Sequence, residues 1–490
     1  MAGAAACSHT MDCRLQPSGR RQLDERQQEA AQWQARHRVV RFRVTERERV
    51  TSELRVEGER SKNLACVIKW LEIMMHHPKR MACPILFSSC VNGSNHTFLP
   101  LAHKHGPCSP FETKKPLSLE EALLRDQIRV KFIRGRSGSS SSTKSQFYDS
   151  KASVSTRYSA GEYVITVGFG TPRQEQTVTM DTGSDLSWIQ CRPCSVCYSQ
   201  QDPIFDPSQS SSYAAMPCSS SDCNRPRSSC ASSCAYGITY GDGSTTSGVY
   251  SYETLTLSPS DVIRNFIFGC GVDNEGLFQD NAGIVGLGRG RRSLVSQTVR
   301  LYGGVFSYCL PPPSATGYLK LGGADAAPNA VYTRLLTSSN KPSFYFVDLV
   351  GISVAGEQLD ISPSVFASRG TVLDSGTVIT RLPAAAYQAL RSAFRSYMAE
   401  YPPSPPIAIL DTCYDFSGYK TVTVPRVALH FGGGVAVDLD VSGIFTHGCL
   451  AFAGFEGNGF GIIGNVQQRT FEVVYDVGNG RIGFAPRACG

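Results

Sequence analysis

From residue 163 onward, apolar and polar positions alternate in short runs broken by turn residues, the period of strands rather than helices. Tyr163-Val-Ile-Thr-Val-Gly-Phe-Gly170 and Thr177-Val-Thr-Met180 read as the first two strands. Residues 235–239 and 249–257 flank a Gly-Asp-Gly-Ser tip, and Asn479-Gly480 separates 473–477 from 481–484; both are hairpin patterns. Two segments break the alternation. Tyr387, Leu390, Phe394, Tyr397 and Met398 share one helical face. Upstream, Ser118 and Glu121 form a capping-box signature, followed by Leu123, Leu124, Ile128 and Phe132 at helical spacing. That helix runs into the Gly/Ser-rich stretch 135–142, a flexible linker open to proteolysis. No apolar run approaches the roughly 18 residues of a membrane-spanning helix.

Composition sharpens this picture. The 490 residues include 46 Gly and 27 Pro, a mild excess that suits many turns. Charge is divided unevenly: residues 1–150 carry 25 Lys and Arg against 15 Asp and Glu, while the remainder carries 23 against 26. A basic front on a slightly acidic body fits nucleic-acid or membrane attraction, or a basic segment folded onto an acidic site of the same molecule. Arg and Glu alternate through 41–60, as in a solvated polyampholyte, so nucleic acid is not the expected partner.

Twelve of the 18 cysteines lie after residue 190, seven of them within 191–234, which reads as a disulfide framework made in an oxidising compartment. Cys191-x2-Cys194-x2-Cys197 alone also fits a metal motif. With no histidine between 106 and 429, any further ligands would have to be thiolates, and four more cysteines follow in a segment too short to bury a core of its own. Staples are therefore expected, and no metal. The N-terminus carries no apolar signal segment; a start at Met74 would place Lys79 and Arg80 ahead of a modest apolar run. Asn92 and Asn95 each open a glycosylation sequon.

A faint internal repeat organises the candidate chemistry. A strand leads into Asp181-Thr-Gly-Ser184, and Ile284-Val-Gly286 follows; a second strand leads into Asp374-Ser-Gly-Thr377, and Ile462-Ile-Gly464 follows. Two copies of one unit predict two similar lobes with a cleft between them. Two carboxyls brought within hydrogen-bonding reach share one proton, so one acts as base toward a water and the other as acid toward a carbonyl oxygen. Gly183 and Gly376 let a backbone amide approach each carboxylate. The hydroxyls of Thr182 and Ser375 can bond across to the opposite loop, and those of Ser184 and Thr377 to the carboxylates.

Asp181-Thr-Gly-Ser-Asp-Leu-Ser-Trp188, Tyr240-Gly-Asp-Gly-Ser244, Ile284-Val-Gly-Leu-Gly288, Asp374-Ser-Gly-Thr377 and Ile462-Ile-Gly-Asn465 resemble the pepsin-like aspartic proteases, in order. Phe266-Ile-Phe-Gly-Cys-Gly271 and Gly464-Asn-Val-Gln-Gln-Arg-Thr-Phe471 are similar to its plant nepenthesin-type branch. The resemblance spans about 160–490, and 96–133 is similar to that branch's prosegments. It implies a mainly β, bilobal fold, catalytic Asp181 and Asp374, and a flap at Tyr240 and Gly241 with Tyr240 bonded to Trp188. It also implies disulfides 191–194, 197–270, 218–234, 223–230, 309–489 and 413–449. The expected organisation is an extension over 1–95, a prosegment over 96–155, an N-terminal lobe over 156–338 and a C-terminal lobe over 339–490.

Other chemistries fit less well. His430 and His447 sit beside no plausible nucleophile, and no Gly-x-Ser-x-Gly elbow follows a strand. Glycosidases also use two carboxylates but need neither paired Asp-(Thr/Ser)-Gly loops nor a flap. A pepsin-like fold that binds without cutting would be signalled by loss of an aspartate, and both are present. The expectation is a monomeric endopeptidase acting on proteins or peptides, without cofactor or metal. The expected route is secretory, to the apoplast or vacuole, with the chloroplast as alternative.

Overall fold

The computed structural model describes residues 96–111, 118–135 and 163–489, apart from 224–229, 231, 241–242, 279, 324–328, 368–369, 458 and 487. All of these fall in the compact unit Lys62–Gly490. The extension 1–95 with Met74, the sequons at Asn92 and Asn95, the linker to residue 142 and Gly241 lie outside the described residues.

The chain is mainly β, with one large sheet of 19 strands and two of four strands among the described residues. The first described strand, β1 (His96–His103), lies antiparallel to Thr316–Gly322 from His96↔Gly322 to Ala102↔Thr316. Its end also pairs with β2 (Tyr163–Phe169). The run β2 is buried along nearly its whole length, so both faces take apolar side chains. It is followed by β3 (Gln174–Asp181), whose last residue is the first candidate aspartate. Ile165, Val167, Phe169, Val178 and Met180 from these strands pack with Leu255, Phe268 and Leu319, all at most 1% exposed. Burying each such side chain contributes about 1.5–3 kcal/mol, so the strands that carry the site rest on a solid floor.

The repeat read in the sequence is a repeat in space. β3 runs parallel to Gly283–Gly286, with Asp181 opposite Gly286, and β4 (Trp188–Gln190) lies antiparallel on the same strand, Trp188 opposite Ile284. In the second half, Thr371–Leu373 runs parallel to Gly461–Ile463, and Thr380–Pro383 crosses antiparallel, Arg381 opposite Ile462. The hairpins are found at Ala235–Thr239 with Thr245–Ser258 and at Glu472–Asp476 with Arg481–Ala485.

Both expected helices exist, with altered faces. The helix Ala384–Tyr397 buries Tyr387, Leu390 and Phe394, with Met398 just beyond its end, but Tyr397 lies at the margin of that stripe and is exposed. The front helix α1 (Leu119–Gly135) has its capping box, with Ser118 and Glu121 exchanging hydrogen bonds. Its inner face is not the apolar one expected. Leu124 and Ile128 point outward, while Leu123, Asp126, Arg129, Val130 and Ile133 are buried. The reason is electrostatic: this helix covers a floor of carboxylates and backbone amides, and charged residues match it better than leucines.

Candidate active site

Asp181 ends β3 and Asp374 directly follows the strand Thr371–Leu373, and each enters a tight loop. Asp181 is 2% exposed and Asp374 fully buried. The Gly183 amide donates to Oδ1 of Asp181 at 3.0 Å, and the Gly376 amide to Oδ1 of Asp374 at 3.1 Å. Glycine is required at both positions. A Cβ at Gly183 would sit 2.9 Å from Oδ1 of Asp374, and one at Gly376 would sit 2.7 Å from Oδ1 of Asp181. These crossed contacts place each loop against the other's carboxylate.

The loops are laced together. The Thr182 amide and hydroxyl both donate to Oγ of Ser375, at 3.1 and 3.2 Å, and the Ser375 amide returns a bond to the Thr182 hydroxyl at 2.9 Å. Thr377 donates its hydroxyl to Oδ2 of Asp374 at 2.5 Å. The matching bond expected from Ser184 is not made, and its hydroxyl has no partner among the described residues. Oδ1 of Asp181 is already taken by Gly183 and by a cation from the front segment. Asn465, just after Ile462-Ile-Gly464, donates to the carbonyl of Ser375 at 3.0 Å and stiffens the loop from behind.

That cation is Arg129 of α1. Its Nη2 lies 2.9 Å from Oδ1 of Asp181 and 3.1 Å from both oxygens of Asp374, and its Nε reaches Oδ2 of Asp374 at 3.2 Å. One turn earlier, Asp126 accepts from the amides of Val378 and Ile379 and from Arg381, at 2.7, 3.1 and 2.8 Å. Burial pushes the Asp374 carboxyl above its ordinary range. Arg129 opposes that shift, Asp181 adds to it, and the bonds from Thr377 and Gly376 oppose it. Neither Asp126 nor Arg129 stood out in the sequence. The signal was the stripe Leu123–Asp126–Val130–Ile133, helical in period with a charge in its middle.

Over the other side of the site, Trp188 is fully buried and its ring N–H donates to the Tyr240 hydroxyl at 2.7 Å. Tyr240 directly follows the hairpin strand Ala235–Thr239, and its amide donates to the Ser244 carbonyl at 2.8 Å to close the turn. Phe278, not singled out by the sequence, packs on Trp188 and Tyr240 with ring centres 4.8 and 5.6 Å apart.

The disulfides follow a different pattern from the one the resemblance implied within the insert. Cys191 pairs with Cys270, and Cys194 with Cys197. β4 runs beside Asp261–Glu275, and the Cys191 amide bonds to Gly271, so the Cα atoms of Cys191 and Cys270 stand 5.4 Å apart. Cys194 and Cys197 close one turn between them. Downstream, Cys218 pairs with Cys230 and Cys223 with Cys234, a crossed rather than nested arrangement. The turn from Ser220 to Cys223 carries Cys223 inward to the buried Cys234. Cys309–Cys489 and Cys413–Cys449 are joined as the resemblance implies. These bonds fit folding in an oxidising compartment. No helix among the described residues is long and apolar enough to cross a membrane.

Residues 163–323 match the family described as "Xylanase inhibitor N-terminal" and 344–486 match "Xylanase inhibitor C-terminal". An aspartyl protease family protein of Arabidopsis thaliana is 44% identical over 431 residues, covering 83% of this chain and 91% of that protein. The chain belongs to the pepsin-like aspartic protease family, in its plant nepenthesin-type branch. Aspartic proteinase nepenthesin-2 of Nepenthes gracilis is 37% identical over 393 residues, 76% of this chain and 86% of its own. The crystal structure of basic 7S globulin from soybean superposes with a TM-score of 0.53 at 21% identity, over 67% of this chain and 92% of that one, a likeness of fold.

Proposed function

We propose that this family member is an aspartic endopeptidase that activates a water between Asp181 and Asp374 and is made as a closed, acid-opened precursor. The observation that carries the reading is the buried pair on laced loops, with both oxygens of Asp374 and one of Asp181 within hydrogen-bond reach of a single nitrogen. In the open form that nitrogen gives way to water. The ionised carboxylate takes a proton from the water, and the protonated one donates to the peptide carbonyl oxygen. The resulting gem-diol collapses as a proton passes to the leaving amine and the C–N bond breaks.

Residues 96–155 form the prosegment in this reading. β1 is laid into the sheet and α1 across the carboxylates, which accounts for the basic front on an acidic body. Acid weakens the Arg129 contact by protonating its partners, the segment swings out, and the linker offers the cut before Tyr163. Compartments reached by secretion, apoplast or vacuole, fit the disulfides and the acid trigger.

The alternative is a pepsin-like protein that binds a partner without cutting, favoured by the inhibitor families its halves match. Moving residues 96–490 from neutral pH to about 4, near the reference carboxyl pKa, separates the two. Loss of the front mass, with cleavage of a peptide library that a pepstatin-type inhibitor blocks, supports the enzyme. An intact chain that cuts nothing refutes it.

A further inference from the structure

The two halves part company seven residues beyond each aspartate. In the first half that residue is Trp188, opposite Ile284 in the sheet and bonded to the flap. In the second it is Arg381, opposite Ile462 and 1% exposed. Its Nη1 donates to the carbonyl of Ile379 at 2.7 Å. Its Nη2 donates to Oδ2 of Asp126 at 2.8 Å and to Oε1 of Gln127 at 3.2 Å. Its Nε is buried with no hydrogen-bond partner among the described residues. The Asp126 carboxylate takes two more bonds, from the amides of Val378 and Ile379.

Arg381 and those two amides thus make a three-donor receptor for one carboxylate, built entirely from the body of the protein within seven residues of Asp374. The carboxylate itself comes from α1. Departure of that helix would leave Nη2 of Arg381 and the two amides without their carboxylate, free to take a ligand anion in its place. Asp126 precedes Arg129 by three residues, about 4.5 Å along a helix axis, and an extended peptide advances about 3.3 Å per residue.

We infer that Arg381, with the amides of Val378 and Ile379, forms a subsite that selects a carboxylate of the substrate, an Asp or Glu side chain one to two residues from the scissile bond. This inference rests on the peptidase reading above. The same carboxylate-binding chemistry could accept a chain terminus, so the test uses peptides with amidated C-termini alongside free ones.

The acid-processed protein is assayed on matched amidated peptides that differ only by Glu or Gln at each position flanking the cut. At one position kcat/KM for Glu should exceed that for Gln by about tenfold, the scale of a hydrogen bond to a charged group. In Arg381→Met that ratio should fall toward one, and in Arg381→Lys, which keeps charge without the fork, it should fall part-way. Ratios near one at every position in the wild-type protein, or an Arg381→Met variant that keeps the preference, overturn the subsite. Discrimination only on peptides with a free terminus overturns the side-chain assignment. A protein that cuts none of the peptides overturns the peptidase reading itself and this inference with it.

Discussion

Arg129 holds Asp374 with two nitrogens, Nε at 3.2 Å from one oxygen and Nη2 at 3.1 Å from both. The pair is buried, so its strength depends on both partners being present. Removing one member of such a pair costs about 3–5 kcal/mol. Arg129→Met should therefore loosen α1 without altering the Asp181 and Asp374 loops. Assayed uncut at pH 7, the variant should hydrolyse a peptide at least about tenfold faster than the wild-type chain, since 1.4 kcal/mol is already a factor of ten. A variant as silent as wild type at pH 7 would show that Arg129 does not hold the site shut.

Asp181→Asn and Asp374→Asn should each abolish nearly all turnover, by about a thousandfold or more, because residues acting as one unit fail together. Either variant keeping a substantial fraction of turnover refutes the pair. Asp374 adds a test through pH. Its carboxyl is raised above the ordinary 3.8, first by burial. A raised folded-state value means the stability it contributes is complete below 3.8 and is lost as pH rises through the folded value. The amide has no such loss. The melting temperature of Asp374→Asn relative to wild type should therefore climb from pH 4 toward neutrality. A constant gap would contradict the raised carboxyl.

Much of this was legible from the chain. The Asp-(Thr/Ser)-Gly loops and the hairpin before Tyr240 rest on local rules, turn-forming residues after strands. The bond between Trp188 and Tyr240, by contrast, was implied only by the resemblance to the pepsin-like proteases. The inner face of α1 was not legible. Hydrophobic periodicity selects leucines, whereas Asp126 and Arg129 are buried by groups more than 50 residues away in sequence. The pairing inside the cysteine insert was hidden for the same reason, since β4 beside the strand carrying Cys270 fixes which sulfurs meet.

That pairing is open to direct measurement. Non-reduced digests should yield a peptide joining Cys191 to Cys270, and a separate one closed between Cys194 and Cys197. Cys270→Ser should destabilise more than Cys197→Ser, because the loop it opens spans 79 residues against three. A linked pair of Cys197 and Cys270 would overturn the arrangement.

Lys104 provides a second buried cationic contact in the front segment. It is buried, and its ammonium donates at 3.2 Å to the carbonyl of Phe278, whose ring packs on Tyr240. Burial lowers its pKa from 10.5 to about 7, with Asp280 opposing the shift and Arg125 adding to it. The sign is set by linkage. Above 10.5 the lysine is neutral whether the segment is docked or released, and docking carries no charge penalty. As pH falls toward 7 only the released form takes the proton, so docking weakens; below 7 both are charged and the penalty is complete. The whole change falls between 10.5 and about 7, so over the acid range Lys104 sets a constant penalty on docking and adds no further trigger to that at Arg129. Lys104→Met removes the charge and keeps the length, so the front segment should be held more firmly at pH 4–7. Conversion to the processed form, followed by mass and peptide hydrolysis, should be several-fold slower than wild type at pH 5, about 1 kcal/mol in rate terms. Conversion at an unchanged or faster rate would mean that Lys104 is held by its bonds more than it is penalised by its burial.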